Sequence, residues 1–490
     1  MNDTQSKYDF IVIGAGYGGL STAALLAKAG KEVLLLESHV AVGGCASSYK
    51  RKEFMFDVGA TTFSGVRSHQ PLGRLFKELQ INPRLEKVNP GMIININGDE
   101  VIRHAELNDW IEESENKFGG DQKSFWREIH RIEELGWDFV DKNRSLPPVN
   151  FMDYLRIANP SNLKFSKLAP TIFKNFDSLV TKHGLQTNSK FKNFLDEQLL
   201  ITTQNVSSDA PLFTAAMGLA YPAETYYPYG GMINPAKLIL ESFRKNGGEI
   251  KFKHRVSSIV QKSDYYEIAT QNGKSFKTKH LISNLPIWNM VSLTGGNIQK
   301  YFQKQSGYFD FAWGAFAINF AIKTDEEIKS PYYQIHLKER IPYLNSGSIF
   351  VSFSLPDDIE RAPEGWRTVT ISSHTDVRNW ENISEVERSQ RKELICSKIL
   401  NEFDSIFPDS TNAEKMYVLP GSPDTFEFYT KRDRGFVGGI PHSIKKSLLR
   451  MPPNKTPFEN FYMVGDTAFP GQGTPAVVLG ALNTIERILD

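Results

Sequence analysis

Near its start the chain carries a long apolar stretch whose period changes partway along. Tyr8 to Ile13 is rich in β-branched and aromatic residues, as a buried strand requires, whereas Leu20 to Ala29 is an Ala/Leu run of high helix propensity. Between them lie Gly14, Ala15, Gly16, Tyr17, Gly18 and Gly19, and a second strand-like run, Lys31 to Leu36, ends at Glu37. The pattern predicts strand, glycine turn, helix and strand, in that order. Phe10 to Ala27 is uncharged for 18 residues, close to the length of a membrane span. Four glycines and the change of period split it into two elements, so no transmembrane segment is predicted.

Further along, residues 105–145 place Trp110, Ile111, Phe118, Phe125, Trp126 and Ile129 at helical spacing, a stripe expected to face a core. The stretch 151–195 holds seven basic and two acidic residues, a net charge of +5, interleaved with Leu155, Phe165, Leu168, Ile172, Phe173, Phe176 and Leu179. Such a basic, partly amphipathic surface suits either a solvated lid over a site or contact with an anionic bilayer.

The glycine turn has a specific chemistry. Gly14 supplies the tight turn, Gly16 lets the backbone approach a pyrophosphate, and Gly19 lets the helix pack closely on the strand. The helix N-terminus offers free N–H groups and a partial positive charge to a diphosphate. Glu37, 18 positions beyond Gly19, is placed to accept hydrogen bonds from a ribose diol and disfavours a 2′-phosphate, and hence NADP. A lone glycine pattern of this kind is equally a tight turn; strand, helix, second strand and acid in register favour the dinucleotide.

Composition narrows the classes. A length of 490 residues is enough for about three ordinary domains. The net charge of +1 exerts no general pull on nucleic acid. Cys45 and Cys396 are the two cysteines, which excludes a disulfide framework and a CxxC motif, and the ten histidines show no metal-ligand spacing. The segment MNDTQSKYDF has no basic region followed by an apolar core. A cytoplasmic enzyme without a metal is expected, free or at the inner face of a membrane.

The residues beyond Glu37 favour FAD over NAD. Ser38 leads to Gly43, Gly44, Cys45 and Ala46, where backbone can wrap over a cofactor, and then to Gly59, Ala60 and Thr61, a turn that admits a flat ring. The other end of the chain supplies a matching half. Phe461 to Val464 reads as a short strand, succeeded by Gly465 and by Asp466, positioned to bond a ribityl or diphosphate group. Gly473, Thr474, Pro475 and Ala476 begin a helix whose N-terminus would stabilise a reduced flavin. Gly471 to Ala476 mimics a second fingerprint, but the 17 residues after Gly473 are too few for a βαβ unit. No second site for NAD(P)H is expected, so electrons pass to a quinone or dioxygen or enter from an external donor.

The runs GGCASSYKRKEFMFDVGATTFSG, YYPYGGM, PDTFEFYTKRDRGFVGG and GDTAFPGQGTPAVVLGA, in this order along nearly the whole chain, resemble the FAD-dependent carotenoid desaturase and carotenoid isomerase family. That family is phytoene desaturase-like, is related to the retinol saturases, and belongs to the amine-oxidase-like flavoprotein superfamily. The resemblance implies an α/β fold: a discontinuous Rossmann-type FAD-binding domain at 1–75, 225–300 and 415–490, and an α+β substrate domain at 76–224 and 301–414 with a lid near 151–195. It assigns a helix to Ile233–Phe243, a turn and strand to Gly247–Val256 with Val256 pairing its backbone to the adenine, and a strand at His280–Asn284 with Asn284 near the pyrophosphate.

The implied activity is oxidoreduction of a lipophilic polyene, first of all desaturation by hydride transfer from an allylic carbon to flavin N5. Isomerisation or saturation by reduced flavin stays open. Typical bacterial phytoene desaturases carry Gly-Gly-Arg where this chain has Gly43-Gly44-Cys45, which sets simple phytoene desaturation in question. Peripheral membrane contact is implied by the source of such substrates. No acid or base constellation stands out; Glu224, Tyr226 and Tyr227, beside the expected flavin-side segment, are candidates whose other reading is loop packing. An amine-oxidase-like enzyme acting on a soluble amine would share the same cofactor frame.

Overall fold

The computed structural model describes residues 8–144, 146–324, 327–446 and 450–489. Most of the segment read for a leader, residues 1–7, lies outside them.

Two seven-stranded sheets organise the fold. In the first, Tyr8–Ile13 runs parallel to Val33–Leu36 on one side and to Ser275–Ser283 on the other. Glu249–Lys251 extends the sheet beyond Val33–Leu36, and Phe461–Met463 joins the end of Ser275–Ser283. An antiparallel pair, Val256–Gln261 and Tyr266–Thr270, completes it. At the centre of the sheet Val33–Leu36, Phe461–Met463 and all of Tyr8–Ile13 but Asp9 are buried on both faces, which is why they read as apolar runs.

The helix after the glycine turn, Tyr17–Lys28, is buried from Tyr17 to Ala27. It packs between Ile233–Lys245 and Thr474–Leu489. Burial all round accounts for the uncharged stretch. Among the described residues no helix is long and apolar enough to cross a membrane.

The second sheet orders its strands as Lys415–Gly421, Gly314–Lys323, Trp366–Thr375, Ser348–Phe353, Tyr332–His336, Met92–Ile96 and Asp99–Arg103. On one face Phe316, Ile318, Ile349, Val351 and Ile371 pack with Ile395, Ile399 and Phe403 of the helix Glu385–Ile406. The Trp110–Ile129 stripe lies on the helices Leu107–Phe118 and Gln122–Lys142 and is core throughout.

Three sequence readings change. Lys415–Gly421, placed with the cofactor segments, instead pairs with Gly314–Lys323 in the second sheet. Gly247–Val256 is not one strand: Lys253, at φ 58°, turns the chain between Glu249–Lys251 and Val256–Gln261. The stretch 151–195 is not one surface either. Phe165, Leu168, Phe176 and Leu179 are core, while Lys164, Lys182, Lys190 and Lys192 are ion-paired with Asp138, Glu128, Asp99 and Asp177.

A buried ion pair ties the cofactor segments to the second sheet. Asp57, at the end of the strand Phe54–Asp57, meets Arg361 at 3.0 Å, both side chains at 1% exposure or less. Asp57 Oδ1 also accepts from Ser48 Oγ at 2.7 Å and from the Met232 backbone N–H at 2.9 Å.

Candidate functional site

One cavity of about 1110 Å³ runs from the glycine turn, over the polar face of the second sheet, to the helices Gln122–Lys142 and Leu212–Ala220. Single-ligand pockets typically span roughly 300–1,000 Å³. This one has room for a large cofactor and a substrate.

All the cofactor-site residues singled out in the sequence line the cavity except Ala15 and Gly19. Those two act from behind. The Ala15 N–H donates to Glu37 Oε2 at 2.7 Å, and a Cβ on Gly19 would lie 2.1 Å from the Gly14 carbonyl oxygen. Glu37 Oε1 accepts from the His39 N–H at 2.7 Å, so its carboxylate is held at the strand end beside the glycine turn.

The turn itself is a cradle for an anion. Gly16 caps the helix with no side-chain hydrogen bond, and the first turn carries no acidic residue. Its free N–H groups and dipole are therefore directed at the cavity. Asn284 closes the far side: a Cβ on Gly16 would lie 2.7 Å from its Nδ2 and one on Gly18 2.8 Å from its Oδ1. That Oδ1 is buried and accepts no hydrogen bond. Free helix donors and glycines that leave no room for side chains fit a dinucleotide diphosphate. Val256 begins its strand at the same cavity wall, beside His254 and Arg255.

Sequence reasoning missed two charged groups here. Arg432 lines the cavity beside Cys45, and its Nη2 bonds Asp466 Oδ2 at 2.8 Å. Burial opposes the guanidinium charge, but the Asp466 carboxylate outweighs it and raises its pKa. Burial pushes the Cys45 thiol up, with Arg432 offsetting part of the effect, so Cys45 stays a thiol. Asp466, read as a direct cofactor ligand, thus also anchors a buried cation.

The second missed group is Glu133. It is 5% exposed at the cavity wall, and Arg67 Nη2 bonds its Oε1 at 2.6 Å. Burial raises its pKa, against the pull of Arg67 and His130. Arg67 Nε also lies 3.8 Å from Glu224 Oε2, so one guanidinium stands between two cavity carboxylates. The segment before Arg67 runs past the start of the C-terminal helix, where a Cβ on Gly65 would lie 2.8 Å from Pro475.

The tyrosine candidates fare differently. Tyr227 is fully buried and donates to Asp358 at 2.7 Å, while Tyr226 donates to Glu224 at 3.3 Å. Neither lines the cavity, whereas Glu224 does. Among the described residues no cluster has the donors for a metal ion, and both cysteines are free.

Residues 17–489 match the family described as flavin containing amine oxidoreductase. The chain is 27% identical, over 98% of its length and 80% of the relative's, to the prolycopene isomerase of Daucus carota. It is 26% identical to an all-trans-retinol 13,14-reductase of Danio rerio, over 97% of its length and 85% of the relative's. To a 1-hydroxycarotenoid 3,4-desaturase of a Flavobacterium strain the identity is 23%, over 98% of both chains. A solved Pyrococcus furiosus protein shares the fold with a TM-score of 0.65 at 18% identity, covering 98% of this chain and 97% of that one.

Proposed function

The chain belongs to the flavin containing amine oxidoreductase family and is an FAD-dependent oxidoreductase, and from that premise we propose that it acts on a lipophilic polyene. The observation that carries the reading is the continuity of one cavity from the glycine turn to an apolar compartment walled by Trp137, Val140, Phe213 and Met217. An extended hydrocarbon chain fits that shape.

In this reading the glycine turn, Glu37, Asn284 and Arg432 hold the dinucleotide part of FAD, with Arg432 supplying the cation that a Gly-Gly-Arg motif would place at Cys45. Gly59–Thr61 and Thr474–Ala476, which line the same cavity, would hold the ring. Bound FAD would supply a hydride acceptor, with a quinone or dioxygen as the class of acceptor that would take its electrons. The protein positions an allylic C–H bond, excludes water, and takes up the proton released from the neighbouring carbon at a Glu133 carboxylate oxygen. Run backwards, with Glu133 protonated, the same parts saturate a double bond, as the name of the Danio rerio relative describes for that protein.

Anaerobic mixing of FAD-loaded protein with polyene-bearing liposomes separates the directions. Bleaching of the flavin band together with a red-shifted polyene band is expected for desaturation. A polyene change that needs pre-reduced flavin would instead assign saturation or isomerisation, and silence of both bands would return the amine reading.

The substrate must come from a lipid phase, and the lid offers a way. Phe151, Met152, Tyr154, Leu155, Leu163 and Phe173 are 49–75% exposed. Arg156, Lys167 and Lys174, on the same segments, are exposed and carry no ion pair among the described residues. The lid packs on the two helices that wall the inner end of the cavity. Contact with an anionic bilayer would bury the apolar side chains and engage the three free cations. The protein is expected to float with anionic liposomes at low salt, and Phe151→Ser with Phe173→Ser to release it. Equal flotation of that variant would place the contact elsewhere.

A further inference from the structure

The cavity opens to the surface at a place that neither the cofactor residues nor the substrate residues above account for. Lys50 and Arg51, in the hairpin of Ser48–Arg51 with Phe54–Asp57, line it, and so do Leu419, Thr425 and Tyr429. Lys50, Arg51 and Tyr429 are at the same time exposed to solvent, so the cavity is open between the hairpin and the helix Pro423–Thr430. This opening adjoins the turn that would hold the flavin ring, since a Cβ on Gly59 would lie 3.7 Å from Phe426 of that helix.

Two kinds of side chain surround it. Phe428 and Tyr429 stand edge to face with centroids 5.0 Å apart and are 65% and 57% exposed, a pairing of large rings that folding alone gives no reason to leave uncovered. Tyr417 lies in Lys415–Gly421, where the pairing with Gly314–Lys323 is bulged between Asn319 and Ala321 and the tyrosine is held at φ 55°, an uncommon conformation for a residue with a side chain. Its ring meets Arg51 and Lys52, whose charges lie 5.4 and 5.9 Å from the centroid. Burial raises the Tyr49 pKa, the Asn319 amide and Arg51 lower it and Tyr429 raises it, so a hairpin cation and a helix aromatic flank one phenol. The cations are Lys50, Arg51, Lys52 and Lys431, the last 4.5 Å from the Phe428 centroid. None of them carries an ion pair among the described residues. Against them stand Glu53 and Glu427, because Asp57 and Asp424 on the same elements are held by Arg361 at 3.0 Å and Arg388 at 3.1 Å.

Resting on the FAD site and not on the identity of the substrate, we propose that this opening binds a reduced nicotinamide nucleotide and that hydride enters the cofactor there, apart from the substrate compartment. Exposed aromatic faces receive a flat ring, and side-chain cations receive its phosphates. A quinone is uncharged and dioxygen needs no pocket, so neither calls for this charge. Nor is a second βαβ unit required, because side chains and not a glycine turn meet the phosphates. The exchange balances: one hydride leaves C4 of the dihydronicotinamide ring and one proton comes from water, FAD takes up both, and the nucleotide departs as the oxidised pyridinium.

The test uses FAD-loaded protein and no polyene, so its failure leaves the polyene reading as it stands. NAD+ and NADP+, which cannot reduce the flavin, are titrated by calorimetry; one of them is expected to bind, and more weakly as salt rises. Arg51→Ser with Tyr429→Ser, both at the surface, should weaken that binding at least about tenfold while FAD content, read from the flavin band, holds. Under anaerobic conditions the matching reduced nucleotide should bleach the flavin, and the variant should need at least about tenfold more of it to reach half the maximal rate. Should the double variant lose FAD, Lys52→Glu at the hairpin turn takes its place, with the same weakening expected. Absence of binding by both nucleotides to the unmodified protein would overturn the inference, and so would binding and bleaching that are unaltered in the variant.

Discussion

Glu133→Gln is expected to slow the polyene-dependent bleaching of the flavin by at least about 100-fold, the usual worth of a positioned acid or base. Glutamine keeps the shape and can still bond Arg67, so FAD content and polyene affinity should hold. The pH profile gives the sharper readout. A base works ionised, so desaturation should fall as pH drops through the raised pKa that burial gives Glu133, and the variant should lose that acidic limb. Glu133→Asp should recover part of the rate. A variant with the normal rate and the same limb would transfer the proton role to Glu224, the other carboxylate beside Arg67. An unchanged rate for polyene isomerisation in the same variant is also expected, since rearranging a conjugated chain releases no net proton.

Asp57→Ala is expected to cost about 3–5 kcal/mol, because it strands the Arg361 guanidinium in a site with 1% exposure. It also removes the acceptor shared by Ser48 and the Met232 N–H, which orients the turn before the helix Ile233–Lys245. Pairing Asp57→Asn with Arg361→Met should restore much of the loss, since the cost lies in the unpaired buried charge more than in the absence of the pair. Urea midpoints for the single and double variants measure this. A single variant as stable as the parent would mean that Arg361 finds another partner.

The cofactor frame was legible because its glycines answer local demands. A Cβ on Gly19 would lie 2.1 Å from the Gly14 carbonyl oxygen, and the strand, turn, helix and Glu37 around it announce one another in sequence. The groups that give the cavity its chemistry were not legible. Glu133 lies in a charged helix beside His130 and Glu134, and nothing in HRIEELGW separates the one acid that folds inward from those that face water. Ser372 and His374 alternate with Ile371 and Ser373 as residues of any half-buried strand do, so their face reads as solvent when it is a cavity. Arg432 falls in a polar loop whose partner Asp466 is 34 residues away, and only the fold brings it beside Cys45. The placement of Lys415–Gly421 was missed for a related reason: pairing partners are set by tertiary neighbours, and the strand carries no mark of which sheet it joins.

The order of the first sheet has a consequence for how the chain is made. The strand Tyr8–Ile13 is synthesised first, yet its parallel neighbour Ser275–Ser283 emerges more than half the chain later, and Phe461–Met463 and the helix Thr474–Leu489 come later still. At roughly 5–20 residues per second, the buried helix Tyr17–Lys28 waits tens of seconds before the segment that covers it emerges. A nascent chain truncated before residue 461 therefore displays an uncharged apolar helix and an unpaired sheet edge, which are binding sites for chaperones and starting points for aggregation. Completion of the cofactor cradle waits for Phe461–Met463 and the helix Thr474–Leu489, so their emergence sets the earliest moment at which FAD can be captured.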